Sequence, residues 1–178
     1  MIATEGQITE PQYFGLFNGS DTVVHIHCLK SRSRSSPRDV LQRMDTYLKG
    51  RRLRQNDKAW LVIDTDDWEP EQIQYLHAWA QQDPKRGLAV SNPKFEYWLL
   101  LHFEEGAGIG TSRECTSRLR RYLPDYDKHV RAQDFPRDSM RQAVARARLR
   151  DNPPTMDWPR ETGKTTVYKL VDLILDNN

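Results

Sequence analysis

The chain has 178 residues, 37% hydrophobic and 29% charged, with 27 Lys and Arg against 25 Asp and Glu for a formal net charge of +2. That length and polarity exclude a disordered chain and fit one folded domain whose core is confined to a few apolar runs. So small a net charge excludes a polycation, which leaves any nucleic-acid contact to local clusters, and no apolar run approaches the ~20 residues of a membrane span.

Residues 1–4 leave room for a short strand that ends at Glu5, and Gly6 permits a tight turn. "TEPQYF" then enters a helix with Pro11 early in it, and Thr9 and Gln12 stand at the spacing of a capping box. Residues 22–29, "TVVHIHCL", alternate and are rich in β-branched side chains, which predicts a strand with Val24, Ile26 and Cys28 on one face. The serine-rich basic loop "KSRSRSSPRD" follows, and Pro37 opens a helix carrying Val40, Leu41, Met44, Tyr47 and Leu48 at helical spacing.

"KAWLVIDTDDW" is a nearly continuous apolar run that stops in acid, the pattern of a buried parallel strand reaching the carboxyl edge of its sheet. A helix over 69–81 with Ile73, Leu76 and Trp79 inward, a short buried strand over 87–91 and an apolar helix after Pro93 come next. Segments 112–123, 137–150 and 164–176 read as helices separated by proline-bearing loops. The alternation predicts an α/β fold: a mostly parallel sheet flanked by helices over 1–110 and a helical C-terminal third over 111–178, within a single domain 1–178. Cys28 and Cys115 are far apart and match no metal-ligand spacing, and the start lacks the basic-then-apolar layout of a signal peptide. The expected location is the cytoplasm, with no membrane partner.

Ligands of open parallel sheets gather beyond the carboxyl ends of the strands, which directs attention to "IDTDDW". Side chains alternate along a strand, so Asp64 and Asp66 are expected on one side. Two carboxylates this close repel unless a cation lies between them, and hard oxygen ligands suit Mg²⁺ or Mn²⁺. The competing reading is that these acids end a strand and Asp67 caps the next helix. Glu5 would stand at the same edge and make three acids around one pocket. Basic residues cluster as Lys30, Arg32, Arg34 and Arg38, as Arg43, Lys49, Arg51, Arg52 and Arg54, and as Arg137, Arg141, Arg146, Arg148 and Arg150. Such clusters are solvated faces or phosphate-binding patches. "ETGKTT" at 161–166 is not a phosphate-binding loop, because the first glycine of that motif would fall on Trp158. Lys164 is instead expected to reach a backbone phosphate or a partner surface.

The combination of "TEGQITEPQYF", "VIDTDDW", "SNPKFEYWLLLHF" and a late "TTVYKLV" resembles the RloB family, whose fold is related to the topoisomerase-primase (Toprim) domain. The resemblance implies a metal-dependent nuclease in which Glu5, Asp64 and Asp66 hold Mg²⁺ or Mn²⁺, acting on DNA or RNA, tRNA included. It also implies a role in anti-phage defence, of the abortive-infection kind, beside an ATPase partner. The third motif maps to Asn92, Pro93, Phe95, Glu96, Trp98 and His102. Glu96 is its candidate catalytic residue, His102 a second candidate contact, and Asn92 either a helix cap or a ligand. Arg32, Arg34, Arg51, Arg52, Lys94 and Lys164 would neutralise the nucleic-acid backbone. The alternative is a non-enzymatic module that docks onto the ATPase. Homo-oligomerisation is left open by the sequence.

Overall fold

The computed structural model describes residues 1–19, 22–30, 36–65 and 68–177. Its strands are β1 (Ile2–Thr4), β2 (Cys28–Leu29), β3 (Ala59–Asp64), β4 (Arg86–Asn92) and β5 (Lys164–Thr165), joined in one sheet in the order β2-β1-β3-β4-β5. The first four are parallel and β5 is antiparallel to β4, with Asn92 opposite Lys164. Helices α1 (Thr9–Gly15), α2 (Pro37–Leu48), α3 (Pro70–Gln81), α4 (Phe95–Leu100), α5 (Ser112–Tyr122), α6 (Arg137–Arg150) and α7 (Val167–Asp176) flank it. This is the mostly parallel α/β architecture that the alternating elements predict.

Alternation along the buried strands divides the helices between two faces. Ala3, Leu29, Leu61, Ile63, Leu88 and Val90 pack with Val40, Leu41, Met44, Ile73, Leu76 and Trp79 of α2 and α3. Ile2, Val62 and Ala89 meet Tyr13 and Phe14 of α1, Phe95 and Trp98 of α4, and residues of α5, α6 and α7. Each such side chain fully removed from water contributes about 1.5–3 kcal/mol. Pro37 begins α2 as expected, behind a Ser36–Asp39 capping box.

The structure departs from the sequence reading at several local points. Of the strand expected over 22–29, Cys28 and Leu29 alone join the ladder, because β1 offers them partners at Ile2 and Ala3. Upstream, the Asn18 side chain takes both the Ile26 N–H and the Ile26 carbonyl, each at 2.8 Å, as a neighbouring strand otherwise would. Thr9 is the first helical residue of α1, not its cap. The Thr9 hydroxyl donates to the Lys128 carbonyl at 2.8 Å, and Gln12 Oε1 accepts the Val130 N–H at 2.8 Å. Asp67 lies outside the described residues, and α3 is preceded by Glu69, whose N–H donates to Gln72 Oε1 at 3.1 Å. Lys164 and Thr165 form β5 instead of the first turn of α7.

His102 is a core residue, not a ligand. It is 3% exposed, its Nδ1–H faces the Trp98 and Leu99 carbonyls at 3.1 and 3.2 Å, and its Nε2 accepts from the Tyr13 hydroxyl at 3.1 Å. Burial drives the imidazole down to about 3 from 6.5, so it packs neutral. The unfolded chain protonates near pH 6.5 where the folded chain does not, so this residue's stabilisation is lost as pH falls from about 6.5 towards about 3. In urea titrations, wild type should lose stability below pH 6 with a slope approaching ~1.4 kcal/mol per pH unit relative to His102→Gln. Parallel pH profiles of the two proteins would refute the neutral, buried assignment.

Candidate active site at the carboxyl edge of the sheet

The residues that directly follow β1, β3 and β4 meet at one edge of the sheet. They line a cleft of about 380 Å³ whose walls carry Glu5, Gly6, Glu10, Asp64, Lys94, Glu96 and Lys128. Parallel strands place their carboxyl ends, and the helix N-termini that follow, on one side, which is where α/β sheets bind ligands. The structure therefore brings Glu5, Asp64, Lys94 and Glu96 together from three separated stretches of sequence.

Glu5 is held by both oxygens. Its Oε2 accepts the backbone N–H of Asp64 at 3.2 Å and its Oε1 accepts the Trp68 indole N–H at 3.0 Å, while its own N–H donates to the Val62 carbonyl at 3.0 Å. β1 stops at Thr4, opposite Val62, whereas β3 continues to Asp64 opposite Ser91. The Trp60 N–H donates to Met1 on the β1 side, and a period of two aims the Asp64 N–H the same way, past the end of β1. The Glu5 carboxylate occupies the place of the missing carbonyl. Arg43 of α2 closes the other side of this corner by donating to the Thr4 carbonyl.

Glu10 belongs to the site and is not singled out by the sequence reading. It is 5% exposed in the first turn of α1, and its Oε1 accepts the Gly6 N–H at 2.8 Å. A Cβ on Gly6 would lie 2.0 Å from Glu10 Oε2, so glycine serves here for close approach and not for a left-handed turn. Burial raises the Glu10 pKa above the usual glutamate range, with the neighbouring Glu96 adding to the rise, against the pull of the Gly6 N–H and of Lys128. The opposite wall comes from a loop more than a hundred residues away. Tyr126 donates its hydroxyl to Glu96 Oε1 at 3.1 Å, and burial keeps that phenol protonated well past its ordinary pKa. An acid in a first helical turn is the one sequence signal for Glu10, whereas nothing local marks Tyr126 or Lys128.

The other expected residues divide clearly. Asp66, Arg32 and Arg34 lie outside the described residues, and β3 ends at Asp64. Arg51 and Arg52 follow α2, which runs back from the carboxyl edge. Their neighbours Leu53 and Arg54 accept from Lys85, just before β4, so this pair belongs to the opposite, amino edge. Arg51 stacks on Tyr47 at 4.3 Å. Lys164 pairs with Glu161 at 3.0 Å. Asn92 is neither cap nor cleft ligand, since its Nδ2 donates to the Pro159 and Arg160 carbonyls. In the third basic cluster, Arg146, Arg148 and Arg150 are engaged by Glu105, Asp172 and the Gly163 carbonyl.

Among the described residues no group of three or more His, Cys, Asp or Glu is assembled to hold a metal ion. The donor chemistry nonetheless suits Mg²⁺ or Mn²⁺. Glu5 and Asp64 offer hard carboxylate oxygens on the lining of one cleft. Because Glu10 fills the space beside Gly6, Gly6→Ala should cost about 1–3 kcal/mol by urea denaturation. In a Glu10→Ala background, which vacates that space, the same substitution should cost far less. Equal costs in both backgrounds would break the proposed contact.

The family described as RloB-like protein matches residues 1–174. No curated protein and no solved structure matches the chain. With all but the last four residues covered, the chain belongs to the RloB-like family.

Proposed function

We propose that the chain is a metal-dependent nuclease whose reaction takes place in the cleft at the carboxyl edge. The observation that carries this reading is the union of Glu5 and Asp64, joined through the Asp64 N–H, in one cleft with Lys94 and Glu96. Glu5 and Asp64 would hold Mg²⁺ or Mn²⁺, with Asp66 as the further ligand that the sequence supplies. A bound ion of this kind activates water and stabilises charge on a scissile phosphate.

The chain's own groups do the rest. Trp68 and the Asp64 N–H fix the orientation of Glu5. Lys94 stands at the N-cap of α4, where it can take a phosphate oxygen. Glu96 is held by Tyr126 in the cleft wall, and its carboxylate would accept a proton from an attacking water. Glu10, which keeps its proton to higher pH than an ordinary glutamate, is the group suited to protonate a leaving oxygen. The substrate is a DNA or RNA strand, tRNA included. Membership of the RloB-like family supports the wider setting, anti-phage defence beside an ATPase partner in the cytoplasm.

A second reading, the docking module, draws on a groove of about 540 Å³ at the amino edge, where Ile26, Trp60, Leu170 and Ile174 line one part and Gln55, Asp57 and Lys58 another. In that reading the ATPase covers the groove and carries the activity.

Incubation with labelled plasmid DNA and total tRNA in Mg²⁺, Mn²⁺ or EDTA separates the two. Cleavage should require the metal and fall on the order of 100-fold or more in Glu5→Gln and Asp64→Asn. Arg51→Ala and Arg52→Ala, at the far edge, should stay within about twofold of wild type, consistent with weak screened contacts. Absence of cleavage in every condition, also with the ATPase added, would overturn the nuclease reading in favour of docking.

A further inference from the structure

Lys128 has φ of 80°, and the other positive-φ residues among those described are all glycines, Gly50, Gly106, Gly108 and Gly163. A side chain with a Cβ is strained in that region, so glycine or asparagine would serve the backbone better. A lysine retained there calls for a reason in its side chain.

The surroundings supply one. The segment 126–130 is tied down at three points, each to α1 or α4, the helices whose first turns face the cleft. The buried Thr9 hydroxyl holds the Lys128 carbonyl, Gln12 holds the Val130 N–H, and Tyr126 holds Glu96. These bonds fix the Lys128 backbone on the cleft wall. On either side of it, Asp127 and His129 pair with each other at 2.9 Å. Among the described residues the Lys128 and Lys94 ammonium groups form no ion pair. Lys128 is close enough to Glu10 to pull its carboxyl towards ionisation. The carboxylates of Glu5, Asp64 and Glu96 and the carboxyl group of Glu10 line the same cleft. A phosphodiester entering it meets repulsion that Lys94 and Lys128 are the described cations of the lining placed to offset.

We propose that Lys128 is a phosphate-binding residue of this cleft, which with Lys94 takes the backbone of a nucleic-acid strand. The strain at its α-carbon is retained for that contact. The inference rests on the nucleic-acid reading above and extends it to a residue that neither strand-end logic nor any local motif marks.

Anisotropy of a labelled single-stranded oligonucleotide in Ca²⁺, across a salt series, tests it with wild type and Lys128→Met, Lys128→Arg and Lys128→Gly. Lys128→Met should weaken binding about five- to tenfold and make the slope of log K against log salt shallower by ~0.7, the loss of one phosphate contact. Lys128→Arg should restore most of the affinity. Lys128→Gly should bind as weakly as the Met variant while its Tm equals or exceeds that of wild type. Wild-type affinity and slope in Lys128→Met would overturn the assignment, as would a Gly variant that binds normally. A protein that binds with this Lys128 dependence but cleaves under no condition would retain the inference and refute the nuclease. One that cleaves with full activity as Lys128→Met would do the reverse.

Discussion

The two-residue shortfall of β1 against β3 is the constraint on which the cleft depends. A ladder that stops leaves donors pointing at nothing, and a buried unpaired N–H costs about 1–3 kcal/mol. Here Thr4 ends opposite Val62 while β3 continues to Asp64. The Glu5 carboxylate satisfies the resulting donor at Asp64. One bond thus completes the sheet electrostatically and fixes the first acid of the site against the backbone of the second. An amide at position 5 could still accept this N–H, so the backbone requirement alone does not call for a charge. The charge is what a hard cation and a phosphate reaction would use.

Core packing supplies the second coordinate. Tyr13 sits edge-on to Phe95 at 5.6 Å and to Trp98 at 6.1 Å, and its hydroxyl is spent on His102. These contacts lock α1 against α4 and so bring the first turns of the two helices, with Glu10 and Glu96, into mutual electrostatic range. The polar pair inside this aromatic cluster is fully satisfied, since phenol donates to imidazole and imidazole donates to backbone. It therefore fixes the packing without leaving a buried charge. The far wall then follows from hydrogen bonds that α1 makes with the 126–130 segment.

Much of this was legible in the sequence where short-range rules decide. The runs behind β3 and β4, the proline that opens α2 and the periodicity of α3, α5 and α6 all name their elements within a residue or so. Glu5 and Asp64, at the ends of the first and third strands, point to the carboxyl edge for the same reason. What was not legible depends on partners. β2 is short because its neighbour β1 is short, which no property of "TVVHIHCL" reveals. Thr9 and Gln12 carry a cap's spacing but spend their side chains on tertiary bonds. The arginines of α6 read in sequence as a solvated face or a phosphate patch, yet three of them are engaged by contacts within the fold. Lys128 reaches the cleft across more than a hundred residues from Thr9, which holds its carbonyl, a separation that periodicity cannot bridge.

The location of the site also has support that owes nothing to any resemblance. Natural chains satisfy local rules almost everywhere, and residues that break them gather where function needs the exception. Three exceptions occur here: a glutamate 5% exposed with a raised pKa, a lysine at φ 80°, and a glycine whose missing Cβ makes room for a carboxylate. The buried Glu10 and the left-handed Lys128 each cost stability that an apolar residue at the one position and a glycine at the other would not. All three line the cleft that also contains Glu5 and Asp64; Gly6 and Glu10 form one contact there, and Lys128 reaches it from the separate 126–130 segment. Packing joins Gly6 to Glu10 but gives no reason for a left-handed lysine beside them, whereas a charged ligand held between carboxylates and ammonium groups would supply one.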